Sequence, residues 1–438
     1  MESMSHPLYF LCPSCHSENT LRAYPTRRIA FGSLANLRCT DCHTRVVVNG
    51  DTLEYGNKQI DSTDYYQLLM DKLSVNQSSI FSPPEIDSNQ FQNALRVSQK
   101  AMLRQGNDQF EFVGYHRIFK RIIAKPRSFC QGYLILYKDR LEFLSGSNKF
   151  VWHARNLTCI TTNGHYFEFK IKHQPFYQIK FVEESHLKYE IIIRKWLGKF
   201  YSGSDEVIEF QPRVMFSPPE KSTRVWNVSP NHIEKDYLLE EILLSIIKFK
   251  IRMVFRLWIK VKTLSRDNWN ISKTGFTILN HQSAFDPFIV GAFLDRKIAF
   301  LTKSSSFNHG FPRFFLRWLM GVPTTRHQTD PEVIYLIRKM LKRGIRIGIF
   351  AEGERTWDGK IQPFKMSLVK LLMASREAIT PVILKNAFHF WPRWAKFPRR
   401  AEVQIQVGAP FCLISDIYSV DEQREFLEEY FRAALDEN

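Results

Sequence analysis

The fold of this chain is decided where a short apolar run, Phe276–Leu279, passes into Asn280-His281-Gln282-Ser283-Ala284-Phe285-Asp286-Pro287. The apolar run predicts a buried strand, and the proline predicts the start of a helix. A histidine and an aspartate thus lie together where a strand ends, which is where open α/β sheets place their ligands. We therefore expect an enzyme that uses His281 as a base, with an anionic substrate held nearby.

Apolar runs and helical patterns alternate from this stretch to the end of the chain. The predicted strands are Phe276–Asn280, Ile298–Thr302, Ile345–Phe350, Ile379–Leu384 and Val403–Val407. The predicted helices are Pro287–Leu294, Pro312–Met320, Pro331–Lys342, Phe364–Ser375 and Glu422–Leu435. This alternation predicts an α/β sheet with helices on both faces.

Four motifs follow one another in this region. They are His281-x4-Asp286, Gly321-Val-Pro-Thr-Thr-Arg326, Glu352-Gly-Glu-Arg355 with Pro363-Phe-Lys365 behind it, and Thr380-Pro-Val-Ile383. In this order they resemble the PlsC-like glycerolipid acyltransferases, the superfamily of the 1-acylglycerol-3-phosphate type that makes phosphatidic acid. The resemblance covers residues 241–438. It implies transfer of a fatty acyl group from acyl-CoA or acyl-carrier protein to the hydroxyl of a lysophospholipid, such as lysophosphatidic acid, or of glycerol phosphate.

The resemblance also implies roles for the motif residues. His281 would remove the proton of the acceptor hydroxyl, and Asp286 would hold the imidazole tautomer. The substrate-binding residues would be Glu352, Gly353, Arg355, Arg326 and Lys365. Among these, the two arginines would clamp a phosphate, the glutamate would shape its loop or bind the acceptor's hydroxyl, and the glycine would permit a tight turn.

Several of these residues also have a second interpretation, which for His281 is that of a satisfied loop histidine. Asp286 before a proline is a good helix N-cap. Arg326 would equally pair with Asp330, and Lys365 would equally lie on the surface. For Arg355 the alternative to a phosphate is a bridge to Glu352 or Glu354.

Two departures from the resembling family concern the acceptor. Glu354 stands where the family has threonine, and Met366-Ser367 replaces a common glycine. The extra negative charge beside the expected phosphate site keeps a different alcohol acceptor open. A rival of another class is an adaptor that binds lipid or nucleic acid through an inactive acyltransferase fold.

Residues 8–50 predict a zinc ribbon. Cys12-Pro-Ser-Cys15 and Cys39-Thr-Asp-Cys42 are separated by 23 residues, and a gap of two residues lets one tight turn supply two thiolates to Zn²⁺. The metal would be structural, because so short a segment has little core. Unmetallated thiols are the alternative. An odd total of seven cysteines indicates a reducing compartment.

The middle of the chain predicts β structure between two linkers. Residues 51–110 are polar with short helices, such as Tyr65–Leu73 and Phe91–Arg104, and residues 201–240 form a second linker. Between them, residues 111–200 alternate in hydropathy and end in a helix, a pattern that resembles pleckstrin-homology and GRAM domains. Docking to anionic lipid and a role as a protein-binding barrel are both open for this multidomain chain.

Charge and aromatic residues favour a lipid partner. The net charge is +17, concentrated in residues 111–200 and 241–438, which suits phosphate-bearing partners. A basic helix is predicted over Glu241–Leu264, either packed on a domain or lying in a membrane interface. The aromatic and basic stretches Phe311–Trp318 and Phe388–Trp394 also favour membrane contact, with base stacking as the alternative.

The cellular location follows from what the sequence lacks. The start of the chain has no signal-peptide pattern, and no stretch of about 18 apolar residues predicts a transmembrane helix. We expect a cytoplasmic protein, peripheral on the cytoplasmic face of an anionic membrane. Nucleic acid is not an expected partner, because the ribbon is only weakly basic.

Overall fold

The structure is a computed structural model. It describes residues 8–23, 34–49, 51–76, 91–113, 120–202, 245–256, 259–303, 306–307, 320–324, 331–413 and 418–436, with short gaps in some ranges and a few isolated residues besides. Contacts divide the chain into two compact units. The first consists mainly of Met1–Gln109 and Ala124–Ser217, and the second mainly of Pro218–Thr325 and Asp330–Asn438.

The first unit begins with a small antiparallel sheet. Its strands, in sheet order, are β1 (Leu21–Ala23), β2 (Leu34–Cys39), β3 (Arg45–Asn49), β4 (Thr52–Tyr55) and β5 (Lys58–Asp61). Helix α1 (Ser62–Lys72) follows at once, because the Asp61 side chain accepts a hydrogen bond from Asp64 N and caps it. The predicted helix Tyr65–Leu73 is confirmed.

A second antiparallel sheet accounts for most of the remaining first unit. Its strands are β6 (Arg96–Val97), β7 (Ala101–Val113), β8 (Lys120–Leu136), β9 (Arg140–Ser145), β10 (Asn148–His153), β11 (Leu157–Asn163), β12 (Tyr166–Ile171) and β13 (Phe176–Phe181). The strand order is β10-β9-β8-β7-β13-β12-β11, with β6 beside β8. Helix α2 (His186–Ser202) closes the unit, and its apolar residues join those of the strands in one core.

The predicted helix Phe91–Arg104 is wrong. Arg96–Val97 and the residues from Ala101 onward are strands, and β7 pairs with β13 in the register Leu103↔Ile179. Local helix propensity carries no information about β13, because that partner strand lies far away in sequence. The strand pairing overrides the local propensity. The domain boundaries 8–50, 51–110, 111–200, 201–240 and 241–438 stay predictions.

The second unit contains a seven-stranded, mainly parallel sheet. Its strands are β14 (Ile259–Leu264), β15 (Phe276–Leu279), β16 (Ile298–Lys303), β17 (Val322–Thr324), β18 (Arg346–Phe350), β19 (Ile379–Lys385) and β20 (Ala401–Val407). The order is β14-β20-β19-β15-β18-β16-β17, and the antiparallel pair is β19 with β20. The central strand β15 is buried at all four positions, as its apolar sequence predicts.

Helices cover both faces of this sheet. They are α3 (Asn268–Ile271), α4 (Asp286–Phe293), α5 (Pro331–Lys342), α6 (Met366–Ser375), α7 (Ala387–Phe390) and α8 (Val420–Asp436). One core packs α5, α6 and α8 against one face, and a second core packs α3, α4 and α7 against the other. The predicted α/β architecture with helices on both faces is confirmed.

The predicted long helix Glu241–Leu264 is only partly right. Residues 245–256 are helical wherever the structure describes them, but the chain is extended from Ile259 and pairs in parallel with β20. The alternating burial of β14 suits a strand at the sheet edge. The predicted helix Pro312–Met320 lies almost wholly outside the described residues. Across the parts of the chain that are described, no helix has both the length and the apolar character needed to cross a bilayer.

Candidate functional site

The site is assembled where the parallel strands β15 and β18 end side by side. Ala351 N donates to Leu279 O at 2.9 Å, just beyond the last paired residues, and Thr356 N donates to His281 O at 2.9 Å. These bonds join the segment after β15 to the loop after β18, although the two lie about 70 residues apart in sequence. The carboxyl edge of the sheet therefore carries both sequence motifs.

His281 and Asp286 form a close pair at this edge. His281 Nδ1 lies 2.9 Å from Asp286 Oδ2. The histidine side chain is 17% exposed and the aspartate is fully buried. A carboxylate can only accept a hydrogen bond, so Nδ1 carries a proton, and in the neutral imidazole the lone pair is at Nε2. This tautomer is the one that a general base requires at Nε2.

The Asp286 carboxylate also organises the turn that presents the histidine. Its Oδ2 accepts hydrogen bonds from Gln282 N at 2.7 Å and from Ser283 N at 2.8 Å. Asp286 is the first residue of α4, and no side-chain bond caps that helix. The N-cap interpretation is therefore wrong: the carboxylate binds amides upstream of the helix, which fixes the loop and the imidazole together.

Aromatic packing fixes the plane of the imidazole. The His281 ring stacks on Phe350 with 3.9 Å between ring centroids and 19° between planes. Phe350 in turn stacks on Phe300 at 5.8 Å. One face of the His281 ring is thereby covered by Phe350.

Glu352 is a buried residue of the loop after β18. It is 2% exposed, and it accepts hydrogen bonds from His281 N at 3.0 Å and Gln362 N at 3.4 Å. Burial raises the pKa of the Glu352 carboxyl well above its usual range, against the lowering effect of these two amide donors. These contacts match the loop-shaping alternative for Glu352.

Gly353 and Lys365 meet directly. Gly353 has φ of 74°, in the left-handed region that favours glycine. A Cβ atom there would lie 2.8 Å from Lys365 Cε, so the lysine chain crosses over this position. The glycine is required both for the turn and for the close approach, and Lys365 is brought to the loop.

Of the two predicted arginines, Arg355 lies among the described residues. Arg355 is half-buried on the same loop, and its carbonyl oxygen accepts a hydrogen bond from Arg393 Nη1 at 3.1 Å. Arg326 lies outside the described residues, as does its alternative partner Asp330.

Sequence reasoning missed Gln282, which ties the site to a third segment. Gln282 Nε2 donates to Gly359 O at 3.0 Å, and its Oε1 accepts from Phe388 N at 3.2 Å. The signal was a glutamine between His281 and Asp286, a polar residue in a stretch that leads into a buried helix.

The stretch Phe388–Trp394 is not the membrane surface that its composition predicts. Phe388, Phe390 and Trp394 are buried, and Trp391 stacks on Phe285 at 4.9 Å. These rings belong to the core next to the site. The other such stretch, Phe311–Trp318, lies outside the described residues except for Leu316.

The four cysteines of the predicted ribbon converge in the first unit. The Sγ atoms of Cys12, Cys15, Cys39 and Cys42 all lie within 4.8 Å of one another. Cys12 Sγ is 3.6 Å from Cys42 Sγ, and Cys15 Sγ is 3.7 Å from Cys39 Sγ. A tetrahedron of sulfur ligands at about 2.3 Å from a metal has edges of about 3.8 Å, so the donor set fits one tetrahedral ion.

The surroundings of the four thiols act in opposite directions, and burial raises the pKa of the Cys12 thiol. The Thr44 hydroxyl, 3.2 Å from Cys42 Sγ, lowers the pKa of that thiol to about 6. Thiolates are the form that binds metal. The cluster can therefore hold a metal ion.

Residues 260–385 match the sequence model of the acyltransferase family. A 1-acyl-sn-glycerol-3-phosphate acyltransferase of Borreliella burgdorferi is 29% identical over 172 residues, which are 37% of this chain and 68% of that protein. One of Cocos nucifera is 21% identical over 160 residues, 35% of this chain and 51% of that protein, so this chain spans about half of its length.

Among solved structures, the 1-acyl-sn-glycerophosphate acyltransferase PlsC of Thermotoga maritima aligns with a TM-score of 0.40 at 19% identity, covering 47% of this chain and 84% of that one. The family match spans the histidine–aspartate pair and the buried glutamate described above. The C-terminal part of this chain therefore carries a domain of the acyltransferase family.

Proposed function

We propose that the protein transfers a fatty acyl group from acyl-CoA or acyl-carrier protein to the free hydroxyl of a lysophospholipid such as lysophosphatidic acid. The observation that carries this proposal is the His281–Asp286 pair, whose geometry leaves Nε2 as a base beside a loop that holds Arg355 and Lys365. The names of the two relatives support the choice of acceptor.

The proposed reaction needs no protein nucleophile, because the acceptor supplies its own oxygen. Nε2 of His281 takes the hydroxyl proton while that oxygen attacks the thioester carbonyl. The buried Asp286 carboxylate stabilises the imidazolium that forms. When the tetrahedral intermediate collapses, the C–S bond breaks, and the imidazolium returns its proton to the departing thiolate. The products are the acylated lipid and the free thiol.

Thiol release from a long-chain acyl-CoA in liposomes tests this proposal. We expect release that depends on added lysophosphatidic acid and is matched by phosphatidic acid formed in equal amount. Acyl-carrier protein replaces CoA in a parallel arm. Release with a different alcohol but with no lysophospholipid would contradict the acceptor and leave acyl transfer in place.

For the first unit we propose a structural Zn²⁺ and a pleckstrin-homology or GRAM-like domain. The convergence of four thiols supports the metal. The strand order supports the domain: β7 lies between the run β8, β9, β10 and the run β13, β12, β11, and α2 follows the last strand. Anionic lipid and protein are the two candidate partners of this domain.

We propose that the acyltransferase unit docks on an anionic membrane. The helical residues 245–256 expose Ile246, Phe249 and Met253 by 45%, 62% and 48%, and their spacing of three and four places them on one face. Lys248 Nζ donates to Leu294 O at 3.5 Å, and Arg252 Nε donates to Ala292 O, so these two basic residues face the protein instead. An outward apolar face on a unit of net positive charge suits a lipid interface.

The variant Phe249→Glu should release the protein from vesicles. We expect vesicles with anionic lipid to bind it at least about tenfold more weakly than the native chain, because a charge replaces a ring in the interface. Sedimentation with the vesicles measures this. Phe426→Glu is the matched control, since this half-exposed ring lies on α8 near acidic residues. Equal binding of native chain and Phe249→Glu would contradict this docking face.

A further inference from the structure

Arg393 is attached to three neighbouring points of the loop that carries Arg355. Its Nη1 donates to Glu354 Oε2 at 3.2 Å and to Arg355 O at 3.1 Å. Its guanidinium carbon lies 4.3 Å from the centroid of the Trp357 ring. The arginine comes from the segment after α7, 38 residues beyond Arg355. One side chain therefore fixes the course of the loop from outside it.

The pair is largely shielded from water. The side chains of Arg393 and Glu354 are 8% and 17% exposed. Trp357, which covers the guanidinium, is 5% exposed. In such surroundings the two charges depend on each other, because removing one leaves the other poorly solvated. Glu354 thus brings no net negative charge to the loop as long as Arg393 is present.

This pairing bears on how the site could accept an anion. Glu354 is the residue that departs from the threonine of the resembling family, and it precedes Arg355 directly. A lone carboxylate there would repel a phosphate headgroup. A carboxylate that is already paired does not, and it holds an arginine whose bond to the Arg355 carbonyl keeps that backbone in place.

We propose that Arg393 is a positioning residue for an anionic acyl acceptor, an inference that rests on the proposed function. It neutralises Glu354 and holds the backbone of Arg355, so that the positive charge of Arg355 serves the acceptor headgroup. Arg393 acts through the loop that carries Arg355.

Three single variants, a double variant and a control test this role. Arg393→Gln should raise the KM for lysophosphatidic acid about tenfold or more, with a smaller change in kcat and in the KM for acyl-CoA. Arg393→Lys should fall between, since it keeps the charge but loses the planar fork and the ring contact. Glu354→Gln should change the acceptor KM only severalfold. Arg400→Gln, an exposed arginine nearby in sequence, should behave as the native chain.

The double variant separates neutralisation from mere packing. Arg393→Gln with Glu354→Gln should recover acceptor KM toward that of Glu354→Gln alone, because the carboxylate that Arg393 neutralises is then absent. A double variant as poor as Arg393→Gln, or an Arg393→Gln variant with native acceptor KM, would overturn the inference while leaving the proposed acyl transfer intact.

Amide hydrogen exchange gives a readout that does not need activity. Exchange across residues 352–359 should be faster in Arg393→Gln than in the native chain and unchanged in Arg400→Gln. Unaltered exchange in Arg393→Gln would show that the arginine does not hold the loop. If no lysophospholipid supports thiol release by the native chain, the proposed function fails, and the acceptor role of Arg393 fails with it. Amide exchange alone then decides whether Arg393 positions the loop.

Discussion

Replacing His281 with alanine should abolish acceptor-dependent thiol release almost completely. We expect kcat/KM for lysophosphatidic acid to fall about a thousandfold or more, because the hydroxyl loses the base that removes its proton. Asp286→Asn should also lose most activity, since an amide neither stabilises an imidazolium nor enforces the Nδ1–H tautomer. Steady-state kinetics in liposomes measures both effects.

The control is His153→Ala, a partly exposed histidine of β10 in the other unit, which should keep native rates. Thermal unfolding should be followed in parallel, because the His281 ring also packs on Phe350. If folded His281→Ala retained more than about a tenth of native kcat/KM, the histidine would not be the base, since a general base contributes more than that.

Removing metal from the cysteine cluster should destabilise the first unit severely. We expect one zinc ion per chain in the native protein. Cys39→Ser, which replaces a buried ligand, should abolish it and lower the free energy of unfolding of that unit by about 3 kcal/mol or more, since structural zinc contributes folding free energy directly. Elemental analysis and calorimetry are the measurements.

The loss of stability should extend beyond the two Cys-x-x-Cys turns, because residues near them are bonded to the rest of the unit. Tyr65 OH donates to Leu11 O at 2.6 Å, and Glu18 pairs with Arg96 at 2.6 Å and with Lys188 at 2.9 Å. Amide exchange should therefore quicken in α1 and near β6 as well. Cys412→Ser, an exposed cysteine outside the cluster, should change neither metal content nor stability. A native protein without bound metal would contradict the zinc proposal.

The central elements of the acyltransferase fold were predictable because their signals are local. The apolar run at Phe276–Leu279 and the long periodic pattern of α5 identify buried strand and amphipathic helix without knowledge of neighbours. Short edge strands were not predictable. β17 has three residues and contains Pro323, which a sheet tolerates only where no ladder bond is needed, and the strand order places it at the edge.

The contacts of the candidate site were likewise predictable only where the residues lie close together in sequence. The spacing of His281 and Asp286 predicted their pairing, since one short turn separates them. The contact of Arg393 with Glu354 joins residues 39 apart, with α6, β19 and α7 between them, and no pattern in the sequence reports it. The sequence shows the extra charge of Glu354 but not the arginine that pairs with it.

The hydrogen bonds between the two motifs also have a consequence for refolding. His281 N is held by Glu352, and Thr356 N is held by His281 O, so each motif takes its working shape from the other. These contacts form only when β15 and β18 pair in parallel, a non-local step that small domains complete slowly. During refolding, enzymatic competence would thus return with the late parallel pairing of the sheet, after the helices have formed.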